Sequence, residues 1–185
     1  MKIHALSQYS RCIQSQITTE ITITNIYNGK SVKTVGIWDT GATKSCISKS
    51  LADELGLKPI NRAIVQGVHD SKEVNVFFAN FTLLNEQISL NITPTECDEL
   101  SKDGKIRVLI GMDIINMGDF CITNLGGQTV MSFRVPSLER VDYVEIINQE
   151  KRIHNIHMLW AAHGNNKCPC GSGKLYKNCH GKDKE

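Results

Sequence analysis

The chain has 185 residues, of which 41% are hydrophobic and 22% are charged, and its formal net charge is +2. These values are typical of a globular protein with one core and a small appendage, and they exclude fibrous and disordered classes. A net charge this small gives no reason to expect the molecule as a whole to be attracted to nucleic acid or membranes. We expect neither a signal peptide at the polar-interrupted N-terminus nor a membrane span. The seven cysteines are then expected to be reduced thiols in the cytoplasm.

Alternating β-branched residues predict two strands near the start of the chain, Gln16 to Thr24 and Ser31 to Ile37. Between them lies Asn28-Gly29, the strongest short indication of a hairpin turn. The second strand leads the chain directly to Asp39. This acidic residue is therefore expected at the end of a strand.

A short helix is predicted to follow, because Ser50 and Asp53 have the spacing of a capping box and Gly56 supplies the stop. The two-residue period then returns over Ile64 to Val68 and over Glu73 to Phe81. A polar segment separates these two runs. The pattern predicts a long hairpin with an exposed tip.

The rest of the β region is predicted to begin with an alternating strand that has Ile88, Leu90 and Ile92 on one face. A loop from Thr93 to Lys105 is predicted to follow. The apolar run Val108 to Ile110 meets a glycine and a short helix from Met112 to Asn116. A last hairpin, Phe120 to Val135, turns at two adjacent glycines. The region therefore reads as mainly β with short helices.

The C-terminal part differs in kind. Apolar residues at helical spacing predict a helix from Ser137 to Ile153, opened by a serine after a proline and resuming until Gly164. We therefore divide the chain into a β domain (residues 1–136), a helical linker (137–164) and a small module (165–185).

Peptide hydrolysis without a metal or a covalent nucleophile requires a base that activates water and an acid that protonates the carbonyl oxygen, and the tripeptide Asp39-Thr40-Gly41 offers one carboxylate. Two carboxylates held close together can activate water and protonate a peptide carbonyl, because like charges at hydrogen-bond distance cannot both ionise and therefore share one proton. Taken alone, the tripeptide also fits an ordinary turn in which Asp and Gly serve backbone geometry.

The segment Ile37 to Ala42 resembles the catalytic loop of the retropepsins, and Val108 to Gly111 resembles the apolar segment that crosses beneath that loop. The order of elements is similar over most of the chain. The resemblance implies a single-lobe, closed β-barrel of the acid protease fold. It also implies that Asp39, Thr40 and Gly41 are catalytic, that Thr40 bonds to the partner loop, and that catalysis needs no cofactor.

A single Asp-Thr-Gly tripeptide occurs in the sequence, so a one-lobed chain completes the pair of carboxylates by twofold pairing. We expect an obligate homodimer that binds a polypeptide in a cleft between protomers, covered by the two hairpins. The resemblance implies substrate contacts at Ala42 beside the loop and at Gln66, Gly67 and Val68 of the hairpin.

Viral retropepsins brace the loop with a charged pair at two positions that are Thr43 and Met112 here. Both charges are missing together, so neither is left unpaired. Asp113, which makes this stretch similar to cellular members, is expected to be a hydrogen-bonded anchor.

Cys46 is expected to be a small buried hydrophobe. Cys97 does not have the spacing to other residues that is typical of a metal ligand.

The C-terminal module has two cysteines one residue apart, an eight-residue loop and then Cys-His. Four such donors suffice for a closed tetrahedral zinc site: Cys168, Cys170, Cys179 and His180. The stretch closely resembles the SEC-C motif, a zinc module found at the end of the bacterial secretion motor and on many other proteins. The zinc is expected to be structural, and the surrounding lysines suit either docking on an acidic protein or RNA, or a solvated tail.

The leading hypothesis is an aspartic endopeptidase that hydrolyses peptide bonds through a pair of Asp39 carboxylates from two subunits. Two alternatives remain open. One is a catalytically silent dimeric module that holds peptides in the same cleft. The other is an adaptor that docks through its zinc tail.

Overall fold

The computed structural model describes residues 2–66, 71–83, 87–161, 165–168 and 170–182, with the side chains at 155 and 157–161 excepted. Two compact units divide the chain, Met1–Glu139 and Arg140–Glu185. Within the described ranges, none of the helices has both the length and the hydrophobicity needed to cross a membrane.

The first unit is mainly β, as the sequence predicts. Its helices are α1 (Lys49–Leu55) and α2 (Met112–Ile115). The strands, in chain order, are β1 (His4–Tyr9), β2 (Thr18–Thr24), β3 (Ser31–Trp38), β4 (Cys46–Ser48), β5 (Asn61–Gln66), β6 (Ser71–Val76), β7 (Ala79–Leu83), β8 (Ser89–Ile92), β9 (Thr95–Cys97), β10 (Ile106–Ile110), β11 (Asp119–Thr123) and β12 (Val130–Val135). They form a three-stranded sheet, β1-β12-β11, and a nine-stranded sheet, β5-β6-β9-β4-β10-β3-β2-β7-β8.

The centre of the nine-stranded sheet brings the two motif segments together. Strands β2 and β3 form the predicted hairpin, in which Gly29 adopts the left-handed region at φ 73°. Strand β10 runs parallel to β3 and pairs Ile110 with Trp38. The end of the apolar run therefore lies beside the residue that precedes Asp39.

The core lies between the sheets and α1. Alternate residues of β2 are buried, and Leu51, Ala52 and Leu55 form the buried face of α1. The indole of Trp38 packs against Phe120 and Phe133 of the three-stranded sheet, with both ring-centroid distances at 5.1 Å. The packing of these aromatic rings fixes the strand that leads to Asp39.

Three local predictions from the sequence are wrong. The cap of α1 is Ser48, whose hydroxyl accepts from the N–H of Leu51, instead of Ser50. The predicted strand Glu73 to Phe81 breaks after Val76, because β6 pairs with β5 and β9 whereas β7 pairs with β2 and β8. The loop predicted from Thr93 contains the short strand β9. The strand β1, which pairs with β12, was not predicted.

The second unit contains α3 (Tyr143–Ala161), which begins later than Ser137. The Ser137 hydroxyl donates to Asp119 Oδ1 and so does not cap a helix. Asp142 takes that role, because its Oδ1 accepts from the N–H groups of Val144 (3.0 Å) and Glu145 (3.1 Å).

Candidate active site and metal centre

Asp39 lies in a turn directly after β3. Its backbone N–H donates to the Ile110 carbonyl oxygen (2.9 Å), which ties the turn to β10. The Gly41 N–H donates to Asp39 Oδ1 (2.8 Å) and fixes the orientation of the carboxylate. Asp39 is half-buried, whereas Thr40 and Gly41 are exposed. The three predicted catalytic residues thus form one loop with a carboxylate that remains accessible.

Gly111 lies directly behind this loop. A Cβ atom at Gly111 would stand 2.7 Å from the Lys44 carbonyl carbon and 2.9 Å from the Ala42 oxygen, so no larger residue fits without moving backbone. The next residue donates its N–H to the Ala42 oxygen (2.8 Å). The apolar-Gly segment therefore crosses against the loop, as the resemblance implies.

Asp113 and Ser45 clamp the loop to the start of α2. Asp113 Oδ1 accepts from the Ser45 N–H (2.9 Å) and from the Ser45 hydroxyl (2.6 Å). The Ser45 Oγ atom in turn accepts from the Gly111 N–H (3.0 Å). The expected role of Asp113 as a hydrogen-bonded anchor is confirmed.

Replacing Asp113 with alanine is expected to lower the free energy of unfolding by about 1–3 kcal/mol, because two donors of the buried Ser45 lose their acceptor. Urea denaturation measures this loss. Asp103→Ala is the matched control, since Asp103 also accepts a hydroxyl and an N–H, from Ser101 and Lys105, but on the exposed surface. Equal losses in the two variants would contradict the clamp.

A cavity of about 480 Å³ opens beside Asp39. Its walls come from the Asp39 loop, from β5 and from the adjacent strands β4, β9 and β10. The lining residues are Asp39, Gly41, Ala42, Thr43, Lys44, Cys46, Ala63, Ile64, Val65, Gln66, Thr95, Glu96, Cys97 and Leu109. Of the predicted substrate contacts, Ala42 and Gln66 border this cavity, whereas Gly67 and Val68 lie outside the described residues.

The second unit brings all four predicted metal ligands together. The Sγ atoms of Cys168, Cys170 and Cys179 and a ring nitrogen of His180 lie within 4.8 Å of one another. The Cys170 and Cys179 sulfurs are 3.6 Å apart, close to the roughly 3.8 Å edge that a tetrahedron with 2.3 Å zinc–sulfur bonds requires. This donor set is compatible with zinc.

Hydrogen bonds and burial shift the pKa values of two cysteines in this cluster. The hydroxyl and the N–H of Ser172 lower the pKa of Cys170 to about 6, so its sulfur favours the thiolate form that binds metal. Burial raises the pKa of Cys168, which is the buried member. Gly171 and Gly173 adopt φ of 76° and 72°, which lets the chain turn tightly between the ligands.

Comparison with protein families decides the class of the first unit. Residues 21–114, which are 94 of the 185 residues, match the family described as aspartyl protease. The chain belongs to the aspartyl protease family. The retropepsin-like, mainly β fold expected from the sequence is confirmed by this match together with the sheet order around the loop. Residues 165–182 match the SEC-C motif, which confirms the second resemblance.

Solved structures similar to this chain include a retropepsin-like aspartic protease from Rickettsia conorii, at 14% identity and a TM-score of 0.45, covering 72% of this chain and 96% of that one. The Simian Foamy Virus protease is similar at 18% identity and a TM-score of 0.34, with coverage of 52% and 89%. A retroviral protease-like domain from Leishmania major has 16% identity and a TM-score of 0.37, with coverage of 68% and 97%.

Several residues that border the cavity beside Asp39 were not predicted from the sequence. Thr95, Glu96 and Cys97 arrive there on β9, which is too short to show a two-residue period. Cys46 is buried, as expected, but it also borders the cavity. Its position seven residues after Asp39 is the sequence feature that could have indicated a place at the site.

Proposed function

We propose that this protein is an aspartic endopeptidase that acts as a homodimer, with Asp39 from each subunit forming one catalytic pair. The observation that carries the proposal is the half-buried Asp39 carboxylate in an Asp-Thr-Gly loop that borders a cavity of about 480 Å³. A lone carboxylate cannot act as base and acid at once. A twofold axis beside the exposed Thr40 and Gly41 would supply the second one.

The paired carboxylates share one proton, because two negative charges in contact repel each other. The ionised member removes a proton from water as that water attacks the peptide carbonyl carbon, and the protonated member donates to the carbonyl oxygen. The Gly41 N–H holds Asp39 Oδ1 in place during these transfers. We assign Thr40 to bonding with the partner loop, which would keep the two carboxylates at hydrogen-bond distance.

An extended polypeptide is the substrate class that best fits the cavity. Strand β5 is an end strand of the nine-stranded sheet, and four of its residues, Ala63 to Gln66, border the cavity. An end strand offers unpaired N–H and C=O groups to an incoming strand. We therefore assign Gln66 and Ala42 to substrate contact, together with the neighbouring Gly67 and Val68.

Incubation of the full-length protein with a diverse peptide library tests the proposal, with cleaved bonds identified by mass spectrometry. Reproducible cleavage at internal peptide bonds supports an endopeptidase. Binding of the same peptides with no cleavage would contradict it and favour the silent peptide-binding module.

The pH dependence of cleavage gives a second test. A hydroxyl at position 42 could donate to the ionised catalytic pair and favour its charged form, whereas Ala42 cannot. The wild type should therefore have its maximum nearer neutral pH, and Ala42→Ser should move the acid limb of the rate profile to lower pH. A wild-type maximum below about pH 4 would contradict this assignment.

We further propose that residues 165–185 form a separate zinc module whose ligands are Cys168, Cys170, Cys179 and His180. Zinc would act as a structural tie, because four protein ligands leave no open position for substrate. The surrounding lysines suit an acidic protein surface or RNA as a docking partner.

A cytoplasmic location suits the free thiols of the described cysteines. The domain limits 1–136, 137–164 and 165–185 belong to this proposal.

A further inference from the structure

Two cysteines that the peptidase mechanism does not use border the same cavity as Asp39. Cys46 lies on β4 and Cys97 on β9, and these strands run parallel, with Cys46 opposite Thr95 and Ser48 opposite Cys97. Residues in register and residues two apart share one face of a sheet. Cys46 and Cys97 therefore lie diagonally across adjacent strands on the same face.

Their burial distinguishes this pair from the other cysteines of the first unit. Cys46 is buried and Cys97 is half-buried, whereas Cys12 and Cys121 are exposed. The cavity nevertheless gives both thiols of the pair a path for a small reagent. A cavity of this size admits a hydroperoxide easily, since a water molecule occupies only about 30 Å³.

The two thiols interact in a way that favours a thiolate on Cys46. The hydrogen bond with Cys97 lowers the pKa of Cys46 most, and a bond from the Leu109 N–H lowers it further. Burial and the charges of Asp39 and Asp113 act in the opposite direction. The same bond with Cys46 raises the pKa of Cys97. Cys46 is therefore the more acidic thiol of the two and the one that a hydroperoxide would meet first as a nucleophile.

We propose that Cys46 and Cys97 form an oxidisable dithiol that a hydroperoxide converts to a disulfide in the wall of the cavity. The Cys46 thiolate attacks one peroxide oxygen, so an S–O bond forms, the O–O bond breaks, and the leaving oxygen takes a proton as water or alcohol. Sulfur is oxidised by two electrons and the peroxide is reduced by two. The Cys97 sulfur then attacks the Cys46 sulfenic acid, an S–S bond forms, and the S–O bond breaks as water leaves with the Cys97 proton.

The disulfide would change the site through its position. Strand β4 begins seven residues after Asp39, and its neighbour Ser45 holds the clamp to Asp113. Cys46 and Cys97 are offset by two residues on neighbouring strands, so their Cα atoms stand about 8 Å apart, farther than a relaxed disulfide spans. A bond between β4 and β9 would therefore draw the two strands together and move the cavity wall. Small displacements near a catalytic group lower rates strongly. This effect on cleavage rests on the proposed peptidase function, whereas the thiol chemistry does not.

Peptide mapping of the zinc-loaded, full-length protein after treatment with hydrogen peroxide tests the thiol chemistry. In the wild type we expect a disulfide-linked peptide that joins Cys46 to Cys97. In Cys97→Ser, which lacks the second thiol, dimedone should trap a sulfenic acid on Cys46. In Cys46→Ser, Cys97 should stay reduced. Oxidation of Cys12 or Cys121 with Cys46 and Cys97 still reduced would overturn the proposal, and so would direct oxidation of Cys97 in Cys46→Ser.

Cleavage assays test the consequence separately, with each protein compared with its own reduced form. Peroxide should lower wild-type cleavage by at least about tenfold, and a thiol reductant should restore it. Cys46→Ser should keep the same rate with and without peroxide. A cross-linked wild type that cleaves as fast as the reduced form would overturn the effect on activity. If the reduced wild type cleaves nothing, the peptidase proposal fails, while the mapped peptides still decide the thiol chemistry.

Discussion

Replacing Asp39 with asparagine is expected to lower the rate of peptide cleavage by about 10²- to 10⁴-fold. Asparagine keeps the shape of the side chain and an oxygen that can accept from the Gly41 N–H, so the loop should stay in place. It cannot ionise, and it therefore neither takes a proton from water nor shares one with its twin. Initial rates measured on a peptide identified in the library give the size of the loss.

The control for this variant is Asp53→Asn on α1, where the carboxylate is exposed and lies in the same unit. Its cleavage rate should equal that of the wild type. Thermal unfolding of both variants should match the wild type and so exclude a folding defect. Cleavage by Asp39→Asn at the wild-type rate would show that the activity arises from another residue or from a contaminant.

Removing zinc is expected to unfold the C-terminal module while the aspartyl protease unit stays folded. Structural zinc sites in small modules contribute roughly 10 kcal/mol or more of apparent binding free energy, which such modules need because they bury little apolar surface. Cys168→Ser removes the buried ligand of the cluster. We expect about one zinc ion per chain in the wild type and a strong loss of zinc in Cys168→Ser, both measured by elemental analysis.

The matched variant for zinc is Cys121→Ser, which removes an exposed free thiol of β11 and should keep its zinc. Peptide cleavage should survive chelation, because Asp39 and every residue of its cavity lie within residues 1–139. Equal zinc loss in the two cysteine variants would contradict the assignment of the ligands. Loss of cleavage on chelation would contradict a purely structural role of zinc in the C-terminal module.

Features carried by short, local patterns were predictable from the sequence. The hairpin turn at Gly29 depends on residues adjacent in the chain, and so does the glycine stop at Gly56 after α1. The crossing of Gly111 behind the loop was inferred from resemblance, and the absence of room for a Cβ explains why glycine stands there. The clustering of the four predicted ligand residues was also predictable, because their spacing in a short segment limits how they can be arranged.

Features that depend on distant partners were not predictable. Strand β9 has three residues, and it becomes a strand by pairing with β4 and β6. Ser137 was predicted to start a helix because it follows a proline. Its hydroxyl instead donates a hydrogen bond to Asp119, eighteen residues earlier in the chain. The meeting of Cys46 and Cys97 beside Asp39 arises from the same long-range pairing.

In the proposed enzyme, one active site takes an Asp39 from each of two subunits. Wild-type and Asp39→Asn chains can be mixed in varied ratios, unfolded and refolded together so that subunits pair at random. If both carboxylates are required, activity should fall as the square of the wild-type fraction, so that an equal mixture keeps about one quarter. Activity that falls in direct proportion, with about one half remaining, would mean that each subunit works alone and would contradict the shared pair.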